Sequence, residues 1–245
     1  MSEPPVLYEE AEGVARITLN RPARRNALDA EGVAALADAW ARLETGPARV
    51  AILTGAGGAF CAGLDLETLP DPAPAVPGIG ALVTKPVIAA VSGPAIGLGL
   101  TLIMQADLCV ADDTALFRYP EAHVGFTGGL IAGLAARIPA KLAMEMILLG
   151  TPVRAARAAQ TGLINEAVPG EALLPRAEEM ARTIASAAPL VVRALKAEIT
   201  ATLPASPAET AGRFRARMGP IARSEDRAEG LAAFRERRRP DFRGR

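Results

Sequence analysis

The stretch KPVIAAVSGPAIGLGLTLIMQAD, residues 85–107, decides the fold. No residue between Lys85 and Asp107 is charged. Ser92, three glycines (Gly93, Gly97, Gly99), two prolines (Pro86, Pro94), Thr101 and Gln105 interrupt it, whereas a membrane span needs about 20 predominantly apolar residues in continuous helix. The pattern predicts a strand from Val87 to Val91, covered on both faces and therefore continuously apolar. A turn follows over Ser92 to Ile96, and a helix starts near Gly97. The first turn of a helix leaves backbone N–H groups unpartnered at the positive end of its dipole, a place for an oxygen that acquires negative charge. The glycines at 97 and 99 either admit a ligand to the backbone or let the helix pack tightly on the strand. Both readings stand open at this point.

Outward from this stretch, the chain alternates apolar and polar residues over 6–20, predicting strands around Val6 to Tyr8 and Val14 to Leu19. The loop from Asn20 to Asp29 carries adjacent Arg24 and Arg25, suited to a phosphate or to solvent. Asp29 reads as the N-cap of an amphipathic helix through Leu36, Trp40 and Leu43. Val50 to Leu53 is a short apolar strand ending in a glycine-rich loop over residues 54–66. That loop has neither the spacing of a dinucleotide-binding motif nor the Gly-Lys-Ser/Thr ending of a P-loop. Its exposed amides lie near Gly63 and Leu64. Residues 67–84 hold Pro70, Pro72, Pro74 and Pro77 and predict a long loop, the least ordered part of the molecule.

Beyond Asp107, Leu108 to Ala111 and Ala115 to Tyr119 read as strands. They lead to Glu121, a carboxylate after a proline in apolar surroundings, where such a group is either paired at a helix start or used chemically. His123, the single histidine, reads as a satisfied imidazole or as an acid–base group. Helical patterns cover Leu130 to Ile138, Ala140 to Leu149 and Arg154 to Thr161, with a short strand from Leu163 to Val168. From Glu171 onward only helices are predicted. This places an architectural boundary near residue 186, dividing a core of residues 1–186 from a helical region of residues 187–245.

With 245 residues, half of them apolar, the chain has enough length for a large core. Twenty-seven basic and 27 acidic residues cancel, so overall charge gives no reason to expect nucleic acid or a membrane as partner. No basic and apolar leader is visible at the Met1 end, which points to a cytoplasmic protein. Cys61 and Cys109 sit among apolar residues, and one histidine with two distant cysteines makes no metal site. Residues 213–245 hold eleven arginines against five acids, a solvated helical face or a binder of phosphate groups.

Three segments taken together resemble the crotonase superfamily, the enoyl-CoA hydratase/isomerase family. They are Asn20-Arg21-Pro22 with Asn26-Ala27-Leu28, the run from Ala59 to Leu66, and the run from Ala90-Val91-Ser92-Gly93 to Asp107. The ending from Glu229 to Arg245 is also similar to that family's. The resemblance implies an α/β spiral of ββα units with a C-terminal helical trimerisation region, giving a homotrimer or dimer of trimers. It implies an acyl-CoA substrate and no separate cofactor, with the thioester oxygen held by the backbone amides of Leu64 and Leu98 and proton transfer by Glu121. Of the two glutamates typical of the family's hydratases, one falls where this chain has Thr101. The resemblance further places coenzyme A along Arg24, Ala62 and Leu66, with Phe234 and Arg237 reaching a neighbour's coenzyme A, and has residues 67–84 line the acyl pocket. The implied reaction is isomerisation or hydration of an enoyl-CoA. Thioester hydrolysis, decarboxylation or acyl-CoA binding without turnover are the alternatives.

Overall fold

The computed structural model describes residues 3–245; Met1, Ser2 and the side chain of Arg217 lie outside the described residues. Strands β1 (Val6–Ala11) and β2 (Val14–Leu19) form an antiparallel hairpin. The strands that follow are β3 (Val50–Gly55), β4 (Val87–Val91), β5 (Pro94–Ile96), β6 (Leu108–Asp112), β7 (Leu116–Arg118), β8 (Val153–Arg154) and β9 (Glu166–Val168). The larger sheet runs β1-β2-β3-β4-β6-β9 and is parallel from β2 onward, and a smaller sheet runs β5-β7-β8.

Parallel neighbours require a crossover between each pair, and here the crossovers build a second layer. Each turn of chain gives one strand to the larger sheet and then a short extended stretch. Leu28 follows β2, residues 61–64 follow β3, β5 follows β4 and β7 follows β6. Parallel bridges from Leu28 to Leu64 and from Cys61 to Ala95, together with β5 against β7, join these stretches side by side. Helices α1 (Ala30–Thr45), α2 (Leu98–Gln105) and α3 (Glu121–Val124) close three of the turns. The result is the ββα spiral that the motifs implied.

The continuous apolarity of β4 has its cause in packing on both faces. Val87, Ala89 and Val91 point into the main core with Leu36, Trp40, Leu43 and Leu53. Ile88 and Ala90 point the other way, into a second cluster with Val50, Ile52 and Val110. That second face is covered by α6 (Leu173–Ser186), whose Leu173, Ala177 and Ala181 recur every four residues on one side of the helix. Between β7 and α6 lie α4 (Ala140–Leu149) and α5 (Ala155–Gln160). Helices α7 (Pro189–Thr202), α8 (Pro207–Ala222) and α9 (Glu225–Glu236) complete the chain. Asp29 caps α1 as expected, its carboxylate accepting the Gly32 N–H at 2.8 Å. Among the described residues no helix is long and apolar enough to cross a membrane.

Several local expectations are corrected. The predicted turn over residues 92–96 contains β5. The helix expected over residues 130–138 is a 3-10 helix at Leu130–Ala136. Residues 67–84, expected to be the least ordered, are anchored: Ala75, Val76 and Ile79 are buried, and the Trp40 Nε1–H donates to the Ala75 carbonyl at 2.8 Å. On their other side the Arg215 guanidinium donates to the Ile79 carbonyl at 2.9 Å. Prolines stiffen this segment, and partners distant in sequence supply the contacts that fix it.

Ile88→Ala removes a fully buried side chain from the β4–α6 face, where the rigid sheet backbone limits collapse. A destabilisation of about 2–5 kcal/mol is expected, read as a lower chemical-denaturation midpoint.

Candidate functional site

Helix α2 is preceded by its N-cap residue Gly97, whose φ of +56° turns the chain from β5 into the helix. The Gly97 N–H donates to the Arg118 carbonyl at 3.0 Å. The next amide, that of Leu98, lies in the first turn, where no intrahelical acceptor exists. The Leu64 amide is freed differently. In the bridge with Leu28, the Leu28 N–H donates to the Gly63 carbonyl and the Asp65 N–H donates to the Leu28 carbonyl, both at 2.9 Å. Both ladder bonds therefore use groups flanking Leu64, and its own N–H faces the other side of the strand. The two segments adjoin: a Cβ built on Gly63 would lie 3.7 Å from the Leu98 nitrogen.

Glu121 reaches this place from the turn after β7. A Cβ on Gly97 would lie 2.6 Å from the Glu121 Oε1 atom, so the carboxylate occupies the space that a side chain at 97 would need. At Gly99 a Cβ would stand 2.5 Å from the Cys61 carbonyl oxygen. Gly97 thus makes room for the Glu121 carboxylate, and Gly99 follows the packing reading, allowing close approach of α2 to the residue 61–64 strand.

The other Glu121 oxygen, Oε2, is buried and has no hydrogen-bond partner among the described residues. Burial pushes the carboxyl up to about 7, opposed by its own backbone N–H. Tyr119 is buried close by, its hydroxyl 3.5 Å from Thr127 Oγ1, and burial raises the phenol as well. Thr101 is buried on α2 and its hydroxyl turns back to the Gly97 carbonyl at 3.4 Å. His123 lies on the exposed surface of α3 beside Gly150.

Leu64, Leu98 and Glu121 are thus brought together. Ala62 stands on the same strand, its N–H bonded to the Arg25 carbonyl. Arg24 and Leu66 are exposed at its margin, with the Arg24 guanidinium 3.6 Å from Glu67. Phe234 and Arg237 belong to α9, which packs on α8; Phe234 is 84% exposed and Arg237 is the C-cap residue at φ +53°. Two residues quoted only as parts of a motif turn out to hold the site. Asn26, fully buried at φ +58°, donates to the Ala56 and Ala59 carbonyls at 2.9 and 2.7 Å, and accepts the Arg21 N–H. Arg21 is the other. The available signal for Asn26 was its residue type, since asparagine tolerates left-handed backbone and carries both donor and acceptor.

The profile of the family described as enoyl-CoA hydratase/isomerase matches residues 9–76 and 81–245. (E)-benzylidenesuccinyl-CoA hydratase of Thauera aromatica is 39% identical over 258 residues, covering 98% of this chain and 99% of that protein. Enoyl-CoA hydratase EchA19 of Mycobacterium tuberculosis is 36% identical, covering 100% of this chain and 98% of that protein. Among solved structures, an enoyl-CoA hydratase from Mycobacterium tuberculosis H37Rv superposes with a TM-score of 0.77 at 38% identity, covering 99% of this chain and 100% of that one.

Carboxyl-selective NMR of the free protein is expected to show one glutamate titrating near pH 7. The resonance disappears in Glu121→Gln; a Glu121 titration midpoint near 4.5, the ordinary value, contradicts the burial described.

Proposed function

We propose that this chain, which belongs to the enoyl-CoA hydratase/isomerase family, catalyses double-bond chemistry on an enoyl-CoA thioester through an enolate. The observation that carries this reading is the buried Glu121 Oε2, without a hydrogen-bond partner among the described residues, beside the start of α2 and the residue 61–64 strand. Backbone N–H groups of Leu64 and Leu98 form the oxyanion hole. Fixed in place before reaction, they stabilise the charge that develops on the thioester oxygen without having to reorient. Leucine suffices at both positions because the side chains take no part.

Hydration runs with one carboxylate. Glu121 takes a proton from water as the water oxygen bonds to C3, and the electron pair moves to the thioester oxygen as an enolate. The protonated Glu121 then returns the proton to C2, completing addition of water. The named relatives, a benzylidenesuccinyl-CoA hydratase and an enoyl-CoA hydratase, support this reaction. Thr101, whose hydroxyl is turned to a backbone carbonyl, favours a second reading. With no acid at that position, the same site moves a proton from C2 to C4 of a 3-enoyl-CoA, and isomerisation needs no bound water. A carboxyl poised near neutrality serves either reaction, since it must both accept and release a proton.

The coenzyme A moiety is assigned to the margin formed by Arg24, Ala62 and Leu66. A homotrimer or dimer of trimers is proposed on the exposed apolar residues Leu190, Leu195 and Ile199 of α7 and Phe214 of α8, with Phe234 and Arg237 directed to a neighbour's coenzyme A.

Glu121→Gln is expected to lower turnover of the active substrate by about a hundredfold to ten-thousandfold, with the thioester still bound. In the wild type, kcat/KM rises with pH through about 7 and levels above it, because the ionised carboxylate is the reactive form. Separate incubation with a 2-enoyl-CoA and a 3-enoyl-CoA, followed by mass spectrometry and chromatography, distinguishes hydrated from isomerised product. Near-wild-type turnover by Glu121→Gln overturns the mechanism.

A further inference from the structure

Arg21 stands nine residues before the start of α1 and far in sequence from Leu64, yet its guanidinium spans the bridge that presents the Leu64 amide. Nη2 lies 2.7 Å from Asp29 Oδ2 and Nη1 lies 3.7 Å from Asp65 Oδ2. Nη1 also donates to the Ala27 carbonyl. Asp29 follows Leu28 and Asp65 follows Leu64, so one planar fork ties together the residues immediately after both members of the bridge. All three side chains are largely withdrawn from solvent, at 21%, 23% and 11% exposure. Such pairs are screened less than surface ones. Each aspartate also has a second task on its own strand: Asp29 caps α1, and Asp65 accepts the Glu67 N–H at 3.1 Å.

From this geometry we propose that Arg21 is a positioning residue that fixes the Leu64 N–H toward the reacting thioester oxygen. The proposal rests on the oxyanion role given above to Leu64. The contacts of its guanidinium are with Asp29, Asp65 and the Ala27 carbonyl. Arg21 acts by preventing the residue 61–66 strand from sliding or rolling against Leu28, which would swing the Leu64 amide away from the Leu98 amide. Only a fork with two separated donors meets two carboxylates at once, and a lysine supplies a single point charge. In the same loop, Arg24 and Arg25 point outward, exposed. The arginine used internally is the one whose backbone N–H is held by Asn26 at 2.9 Å.

The test uses the full-length protein and 4-(dimethylamino)cinnamoyl-CoA, whose absorption moves to longer wavelength when its thioester carbonyl is polarised by hydrogen-bond donors. The wild type is expected to bind this probe with a red shift. In Arg21→Met the red shift shrinks at saturating protein, kcat falls about tenfold to a hundredfold, and KM stays within about threefold. Arg21→Lys behaves nearly as Arg21→Met. Asp65→Asn keeps the turn acceptor but loses the ion pair, and shows a smaller change in the same direction; it carries the test should the Arg21 variants fold poorly. A folded variant that loses stability while keeping the full red shift and kcat overturns the positioning role and leaves the oxyanion site standing. A wild type that binds the probe without any red shift overturns the oxyanion reading itself, and the proposal with it.

Discussion

The structure depends on a backbone bridge of a few atoms. The Cys61 N–H donates to the Pro94 carbonyl at 3.1 Å and the Ile96 N–H donates to the Cys61 carbonyl at 2.8 Å. These bonds tie the extended stretch after β3 to the extended stretch after β4, and so bring the amide two residues beyond Ile96 beside the one three residues beyond Cys61. Each stretch also has an outer neighbour, Leu28 on one side and β7 on the other. The second layer of the spiral is therefore a ladder that leaves the Leu64 and Leu98 N–H groups without a backbone acceptor among the described residues. An unpaired buried amide costs free energy comparable to a lost hydrogen bond. Two such groups together are tolerable where a ligand oxygen or water completes them.

Much of this was legible from residues because the deciding signals are local. An uncharged run broken by Gly93, Pro94 and Gly97 fixes strand, turn and helix start without distant information, and Asp29 announces its helix by residue type. Strand β5 was hidden, since Pro94-Ala95-Ile96 is too short to show alternation and is extended only because Cys61 and β7 pair with it. Residues 67–84 misled for a related reason. Proline and glycine content reports the absence of regular structure, and order there comes from Trp40 on one side and Arg215 on the other. Leu64 and Leu98 were placed by family motif, since no side-chain property marks a position proposed to act through its amide. Arg21 illustrates the reverse case. It was quoted only as part of a motif, and only the fold brings Asp29 and Asp65 to either end of its guanidinium.

The electrostatics of Glu121 follow from where the nearby cation is sent. Arg118 lies three residues before it, at the end of β7, but its Nε–H donates to the Gly150 carbonyl at 2.8 Å and caps the end of α4. An arginine turned instead toward Glu121 would satisfy Oε2 and hold the carboxyl ionised and weakly basic. The dipole of α3 offers little in compensation, because four residues make barely one turn. Burial therefore outweighs the hydrogen bond from its own backbone N–H, and the carboxyl is pushed up to about 7, the balance on which the proposed proton transfer relies. Thr101 supports the same balance. A second carboxylate facing Glu121 would add like-charge repulsion, raise the first further and oblige the pair to share a proton. With threonine there, no second carboxylate stands at that position, and Glu121 Oε2 is left without a hydrogen-bond partner among the described residues.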